Sequence, residues 1–156
     1  MKKLESAVEA YGDMLFRVAF NMLGNVHDAE DATQETYLRS MKYEPELTYS
    51  EHEKRWLLRV LVNLCKNMRK RNARRKVTDI DELANLLEYR DEETLGVMEK
   101  IMSLPEIYRT VMDLYYVEGI SGYEIASILS ISYAAVRKRL QKGRKLLGIA
   151  LENDEG

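Results

Sequence analysis

Three groups of residues in this chain have the types and spacing to do chemistry. Arg137, Lys138, Arg139, Lys142, Arg144 and Lys145 fall in one short stretch that contains no acidic residue. Guanidinium and ammonium groups so concentrated suit a negatively charged groove. Arg59, Asn63, Lys66 and Lys70 follow at steps of four, three and four, with Asn67 and Arg74 alongside. On a helix that spacing makes one face, on which cations neutralise phosphates while the amides of Asn63 and Asn67 pair with base edges. The plainer alternative is a solvated helix whose basic end, Arg69 to Lys76, serves RNA or a membrane surface. The third group is acidic: Asp28, Asp31 and Glu35 lie on one helix face, suited to basic side chains of a protein partner or simply to solvent.

None of these groups is a catalytic constellation. The sequence offers no nucleophile-and-base pair and no phosphate-cradling glycine loop, so an enzyme has little support. His27 and His52 are scattered, and no further ligands cluster with the acids, which argues against a metal site or other cofactor. A small-molecule substrate is not expected.

The elements that must position these residues are helical. Glycines are few, the only prolines are Pro45 and Pro105, and apolar residues recur at spacings of three and four, so the fold class is all-α. Helices are expected from about Leu4 to Leu23, Val26 to Met41 and Lys54 to Lys76, with a loop from Lys42 to Glu53. The first buries Ala7, Val8, Tyr11, Leu15, Val18, Ala19 and Met22 and ends at Gly24-Asn25. The third buries a stripe of Trp56, Val60, Leu64 and Met68, with Leu57, Leu61 and Cys65 beside it. Further helices are expected at Leu95 to Met102, Pro105 to Val117, Gly122 to Leu129 and Tyr133 to Leu151. Ser121-Gly122-Tyr123-Glu124-Ile125-Ala126 and Ser132 to Leu140 read as a helix-turn-helix, with a capping box at Ser121 and Glu124 and an N-cap at Ser132. Pro105 suits a first helical turn.

The domains follow: 1–76, an acidic linker over 77–93 in which Ile80, Leu83, Leu86 and Leu87 could make a short docking helix, and 94–151. The net charge of −2 conceals segregation. Residues 54–76 hold 10 basic residues and no acidic ones, 77–106 hold 2 and 9, and 107–151 hold 7 and 3, so two basic blocks flank an acidic one. That pattern suits two separate nucleic-acid contacts. With 156 residues and 46% hydrophobic content the chain folds. No apolar run approaches the roughly 20 residues of a membrane span, and no signal-peptide core opens the sequence, so a cytoplasmic protein is expected. The single cysteine, Cys65, reads as core.

The run Asp28-Ala29-Glu30-Asp31-Ala32-Thr33-Gln34-Glu35-Thr36-Tyr37-Leu38-Arg39, then Trp56-Leu57 and Val62-Asn63-Leu64, then Leu104-Pro105 and the helix-turn-helix, resembles a bacterial RNA polymerase sigma factor of the small extracytoplasmic-function (ECF) group. The resemblance spans about Ala10 to Leu147. It implies that Asp31, Gln34 and Glu35 dock on a coiled coil of the largest subunit of core RNA polymerase. It implies that Asn63 and Asn67, with the loop Tyr43 to Glu53, read the minus-ten promoter element and capture an extruded base, backed by Arg59, Lys66 and Lys70. It places Arg137, Lys138, Gln141 and Lys142 at base edges or adjoining phosphates of the minus-thirty-five element, with Arg139 and Arg144 in phosphate or packing roles. Contact between the second domain and the flap of the second-largest subunit is likewise implied, as is an anti-sigma factor, often membrane-bound. The acidic segment Asp79 to Glu93 would thread polymerase channels. Trp56 sits where it could be a stacking wedge, but the apolar stripe argues for core. Ala135 stands where the family often has threonine, and Gly143 where alanine is frequent, the latter expected to cost roughly 1 kcal/mol of helix propensity.

Two rival readings are a stand-alone helix-turn-helix regulator, which has no need of the acidic motif, and a pure protein-interaction module, which would not bind DNA.

Overall fold

The computed structural model describes the backbone of residues 2–43, 50–71 and 92–148, and the side chains of 10–42, 53–70 and 96–148. Every regular element among them is helical. The chain divides into two compact units, Met1–Asp79 and Ile80–Gly156.

The first unit contains α1 (Lys2–Leu23), α2 (Val26–Tyr43) and α3 (Ser50–Arg71), each packed against the other two. Its core is Leu15, Val18, Ala19, Phe20 and Met22 from α1, Ala29 and Ala32 from α2, and Leu57, Leu58, Leu61, Val62 and Cys65 from α3. Alanines on α2 let it lie close to its neighbours, and the buried hydroxyls of Thr33 and Thr36 donate to the carbonyls of Ala29 and Ala32, both at 2.8 Å, so neither is left unsatisfied.

The joint between α1 and α2 is two residues long. Gly24 takes the left-handed conformation (φ 76°) that closes α1, and its N–H donates to the Phe20 carbonyl at 2.7 Å. Asn25 then caps α2 from both ends of one amide. Its Oδ1 accepts the Asp28 N–H and its Nδ2 donates to Asp28 Oδ2, both at 2.8 Å. Asp28 is consequently buried and structural, and does not belong with the exposed carboxylates of α2. Asn25→Ala removes the cap and strips a buried carboxylate of a donor. We expect a loss of about 2–3 kcal/mol in urea unfolding, of which Asn25→Ser should recover roughly half through its hydroxyl acceptor.

α3 differs from expectation in extent and in phase. It starts at Ser50 rather than Lys54, and residues 72–76 of the expected helix lie outside the described residues. The fully buried line runs through Leu57, Leu58, Leu61, Val62 and Cys65, while Trp56, Val60, Leu64 and Met68 are only half-buried. Steps of four drift by about 40° each on a helix of about 3.6 residues per turn, so a row at 56, 60, 64 and 68 spirals off any single face.

Burial pushes the Cys65 thiol from 9.0 up to about 12, the Arg69 charge opposing this in part. A folded pKa above the unfolded one means stability is full below pH ~9 and erodes as alkali ionises only the unfolded thiol. Thiol alkylation at pH 8 should therefore track global unfolding, with native labelling at least about a hundredfold slower than in urea.

The second unit contains α4 (Glu92–Met102), α5 (Glu106–Met112), a π-helical turn (Asp113–Val117), α6 (Gly122–Leu129) and α7 (Tyr133–Leu147). Met98, Ile101, Leu104, Val111, Met112, Leu114, Ile125, Ile128, Val136 and Leu140 make its core. Pro105 is the N-cap of α5 rather than a first-turn residue, its carbonyl accepting from the N–H groups of Tyr108 and Arg109, both at 3.0 Å. The single helix expected from Pro105 to Val117 is thus α5 followed by a turn of wider bonding, with the Glu118 N–H reaching the Asp113 carbonyl at 3.1 Å.

α6 has the expected bounds because both ends are marked. Ser121 Oγ accepts the Glu124 N–H at 3.2 Å, and Ser130 adopts a left-handed conformation (φ 57°) that turns the chain. Ser132 Oγ accepts the Ala135 N–H at 3.0 Å and starts α7. α7 stops at Leu147, short of the expected Leu151, because Gly148 takes φ 76° as its C-cap. The expected linker is described only from Glu92, which with Glu93 opens α4; its 77–91 part, including the docking helix around Ile80, lies outside the described residues. So does 44–49 of the expected loop, whose other residues belong to α2 and α3.

Candidate nucleic-acid and polymerase interfaces

The exposed face of α3 gathers the residues expected there. Arg59, Asn63, Asn67 and Lys70 are exposed and Lys66 half-buried, whereas Arg74 lies outside the described residues. Arg69 turns to α1, with Nη1 3.5 Å from the Met22 carbonyl at that helix's C-terminal end. Trp56 belongs with the amides. It precedes Asn63 and Asn67 by seven and eleven residues, and such offsets fall within about 20° of one line along a helix. The half-buried indole is therefore on the amide-bearing face and not in the core, contrary to the sequence expectation. The face consequently holds an aromatic ring, two amides and three flanking cations, which is the equipment for stacking a base, pairing its edge and holding its phosphate.

α2 exposes Glu30, Asp31, Gln34 and Glu35. Glu35 pairs with Arg39 at 3.3 Å and Asp31 with His27 at 3.5 Å, both one turn apart and in solvent. His27, Asp28 and Asp31 place ligand atoms within 4.8 Å of one another, a proximity not expected from the sequence. The Asp28 carboxylate is committed to Asn25, so this cluster is a helix start with the His27–Asp31 contact beside it. Two apolar residues missed by sequence reasoning extend the stripe: Leu38 is 59% and Met41 44% exposed. Gln34, Leu38 and Met41 are spaced at four and three, so acidic, amide and apolar groups share one face.

α7 buries Val136, Leu140, Gly143 and Arg144 and presents Arg137, Lys138, Gln141 and Lys142 outward together, with Arg139 half-buried at the flank. Lys145, absent from the expected readers, shares the exposed face. Arg144 leaves the set of DNA-binding candidates. It is 3% exposed, and its Nη1 donates to the Tyr116 hydroxyl at 3.1 Å. It lies four residues beyond Leu140 and so continues the buried line. The π-helical turn supplies that tyrosine.

Gly143 is explained by proximity. A Cβ there would lie 2.8 Å from both Cγ and Sδ of Met112, so the glycine lets α7 approach α5 closely. Gly143→Ala should destabilise the unit by about 1 kcal/mol, overpacking outweighing the gain in helix propensity. In a Met112→Ala background the same change should become neutral or stabilising, a coupling that a double-mutant cycle of unfolding free energies would measure.

A two-unit helical chain with a capped helix-turn-helix, a second cationic face bearing amides, and a separate acidic and apolar stripe defines a transcription factor with both DNA and protein surfaces. Residues 7–75 match the family described as Sigma-70 region 2, and residues 95–147 match Sigma-70, region 4. The chain is 30% identical over 157 aligned positions to the ECF RNA polymerase sigma factor SigW of Bacillus subtilis, covering 90% of this chain and 84% of that protein. It is also 30% identical to the ECF sigma factor SigE of Mycolicibacterium smegmatis, covering 94% of this chain and 61% of that protein. In fold it is similar to the sigma factor RpoE solved with the anti-sigma factor NepR from Bartonella quintana (TM-score 0.69, 18% identity, 94% of this chain and 95% of that one). It is similar as well to CnrH solved with the cytosolic domain of CnrY (TM-score 0.68, 23% identity, 94% and 86%). The chain belongs to the ECF group of RNA polymerase sigma factors, which are transcription initiation factors. Among the described residues no helix is long and apolar enough to cross a membrane.

Proposed function

We propose that this protein binds core RNA polymerase through the α2 stripe and reads two promoter elements, the minus-ten element with α3 and the minus-thirty-five element with α7. The observation that carries the reading is the exposed row of Asp31, Gln34, Glu35, Leu38 and Met41 on α2, beside the exposed cationic faces that α3 and α7 carry. A stand-alone regulator needs the cationic faces alone. The first unit then serves polymerase binding and promoter opening, and the second unit positions the complex upstream, aided by the flap of the second-largest subunit. The protein works in the cytoplasm and is not itself an enzyme, since catalysis belongs to the polymerase. An anti-sigma factor is its natural inhibitor, a reading supported by one solved neighbour determined with the anti-sigma factor NepR and another with the cytosolic domain of CnrY.

The test is a purified transcription reaction with bacterial core polymerase and a genomic promoter library, comparing the wild type with Gln34→Ala/Glu35→Ala. Transcripts that require the protein and fall at least tenfold in the double variant support the assignment. Discrete DNA binding without polymerase, and no dependent transcript, would favour the stand-alone regulator.

A further inference from the structure

We propose that Tyr123 and Tyr133 form a stacked support that sets the direction from which Arg137 enters the groove, making Tyr133 a positioning residue for sequence readout by α7. The inference rests on the reading of α7 as the upstream promoter reader.

Tyr133 is the first residue of α7 and Tyr123 the second of α6, so their contact spans the turn of the helix-turn-helix. The rings are nearly parallel, 8° between planes, with centroids 4.0 Å apart. One helical turn beyond Tyr133, the Arg137 guanidinium carbon stands over the same ring at 5.9 Å from its centroid. Ring, ring and cation therefore form a contiguous cluster centred on Tyr133, at the end of the motif whose recognition helix meets base edges with its first residues.

The cluster is not part of the core. Tyr123 is 67% exposed, and the second unit is closed by other side chains, from Met98 to Leu140. A folding role alone gives no reason to leave aromatic surface in water beside the groove-facing residues. A positioning role does. Arginine loses much rotamer freedom when it binds, and its planar fork recognises guanine only when presented edge-on to O6 and N7. An aromatic face beneath the guanidinium narrows its orientations beforehand, at the cost of little buried area. Tyr123, held by the N-terminus of α6, stacks on the Tyr133 ring and fixes its plane. The hydroxyls are not required by this arrangement, and the π faces are.

Transcription by the full chain with core polymerase, on templates randomised across both the upstream and the downstream element, gives the readout. Arg137→Ala should flatten base preference at one or two positions. Tyr133→Ala should flatten those same positions by about fivefold to tenfold, a range set by the worth of one bidentate base contact. Tyr133→Leu, which keeps apolar bulk without a π face, should behave like the alanine variant, and Tyr133→Phe like the wild type. Tyr123→Ala should show a smaller loss at the same positions. Arg137→Ala/Tyr133→Ala should match Arg137→Ala alone. Preference at the downstream element, read in the same reaction by the other unit, should stay unchanged in every variant, which separates positioning from misfolding.

The proposal is overturned if Tyr133→Ala leaves the profile intact while Arg137→Ala alters it. It is overturned also if the double variant changes the profile beyond Arg137→Ala, since Tyr133 then touches DNA directly. If Arg137→Ala leaves every position unchanged, the reading of α7 itself falls and the positioning role with it.

Discussion

Replacing Asn63 and Asn67 together with alanine should reduce promoter-dependent transcription by about 10²–10⁴-fold, the product of two lost base contacts. Both residues are exposed on α3, and alanine is the better helix former. The folded state should therefore gain a few tenths of a kcal/mol, and the loss of activity would not trace to unfolding. Extruding a base costs a few kcal/mol, and the protein must supply compensating contacts. Amides that donate and accept at once can grip the base edge, and Trp56 on the same line offers a ring. On a template whose minus-ten region is already mismatched open, the deficit should shrink to about tenfold, because the opening cost has been removed while the recognition loss remains. Undiminished transcription on fully paired DNA would show that another surface reads the element.

Leu38→Asp/Met41→Asp should abolish measurable association with core polymerase, weakening it by more than about a hundredfold. Leu38 and Met41 are 59% and 44% exposed, so the free protein loses little burial and its melting temperature should move by no more than about 3 °C. In the complex proposed above the same two side chains would be covered together with Asp31 and Gln34, and an inserted carboxylate would be stripped of water without a partner. Competition against a labelled wild-type chain for core polymerase gives the number. Equal competition by the variant would remove the apolar half of α2 from the interface. Truncating Glu35, which already shares a solvated ion pair with Arg39, should matter less.

What the sequence made legible depends on how each feature is encoded. α6 and the start of α7 were readable because Ser121, Glu124 and Ser132 announce helix ends through local hydrogen bonds. The start of α3 has such a signature in sequence as well, Thr48 and Ser50 each standing three residues before a glutamate, but the expected loop around Pro45 covers it, and four more residues join the helix. Trp56 was misplaced because Leu57, Leu58, Leu61 and Val62 make most of the helix apolar, and only packing decides which arc turns inward. Leu38 and Met41 carry no local signal that sets them apart, and their exposure follows only from the burial of Ala29, Ala32, Thr33 and Thr36 on the other side of α2. Of the phosphate and packing roles open to Arg144 in the sequence, its place on the line of Val136 and Leu140 favours packing, although its partner on the π-helical turn was invisible in one dimension. Gly143 looked like a local cost because its benefit lies in Met112, far along the chain. The Asn25 cap had a local signature, an Asn three residues before an Asp, that was read only as a helix stop.

The inward turn of Arg144 also sets a ceiling on the ionic thermodynamics of the upstream contact. α7 carries six cationic side chains, Arg137, Lys138, Arg139, Lys142, Arg144 and Lys145, and one is spent on Tyr116. At most five can displace condensed counterions from duplex DNA, so this helix can contribute a log–log salt slope no steeper than about −4.5, where a count from sequence gives about −5.4. The difference of roughly one ion marks charge that the protein uses to anchor its reading helix to its own scaffold.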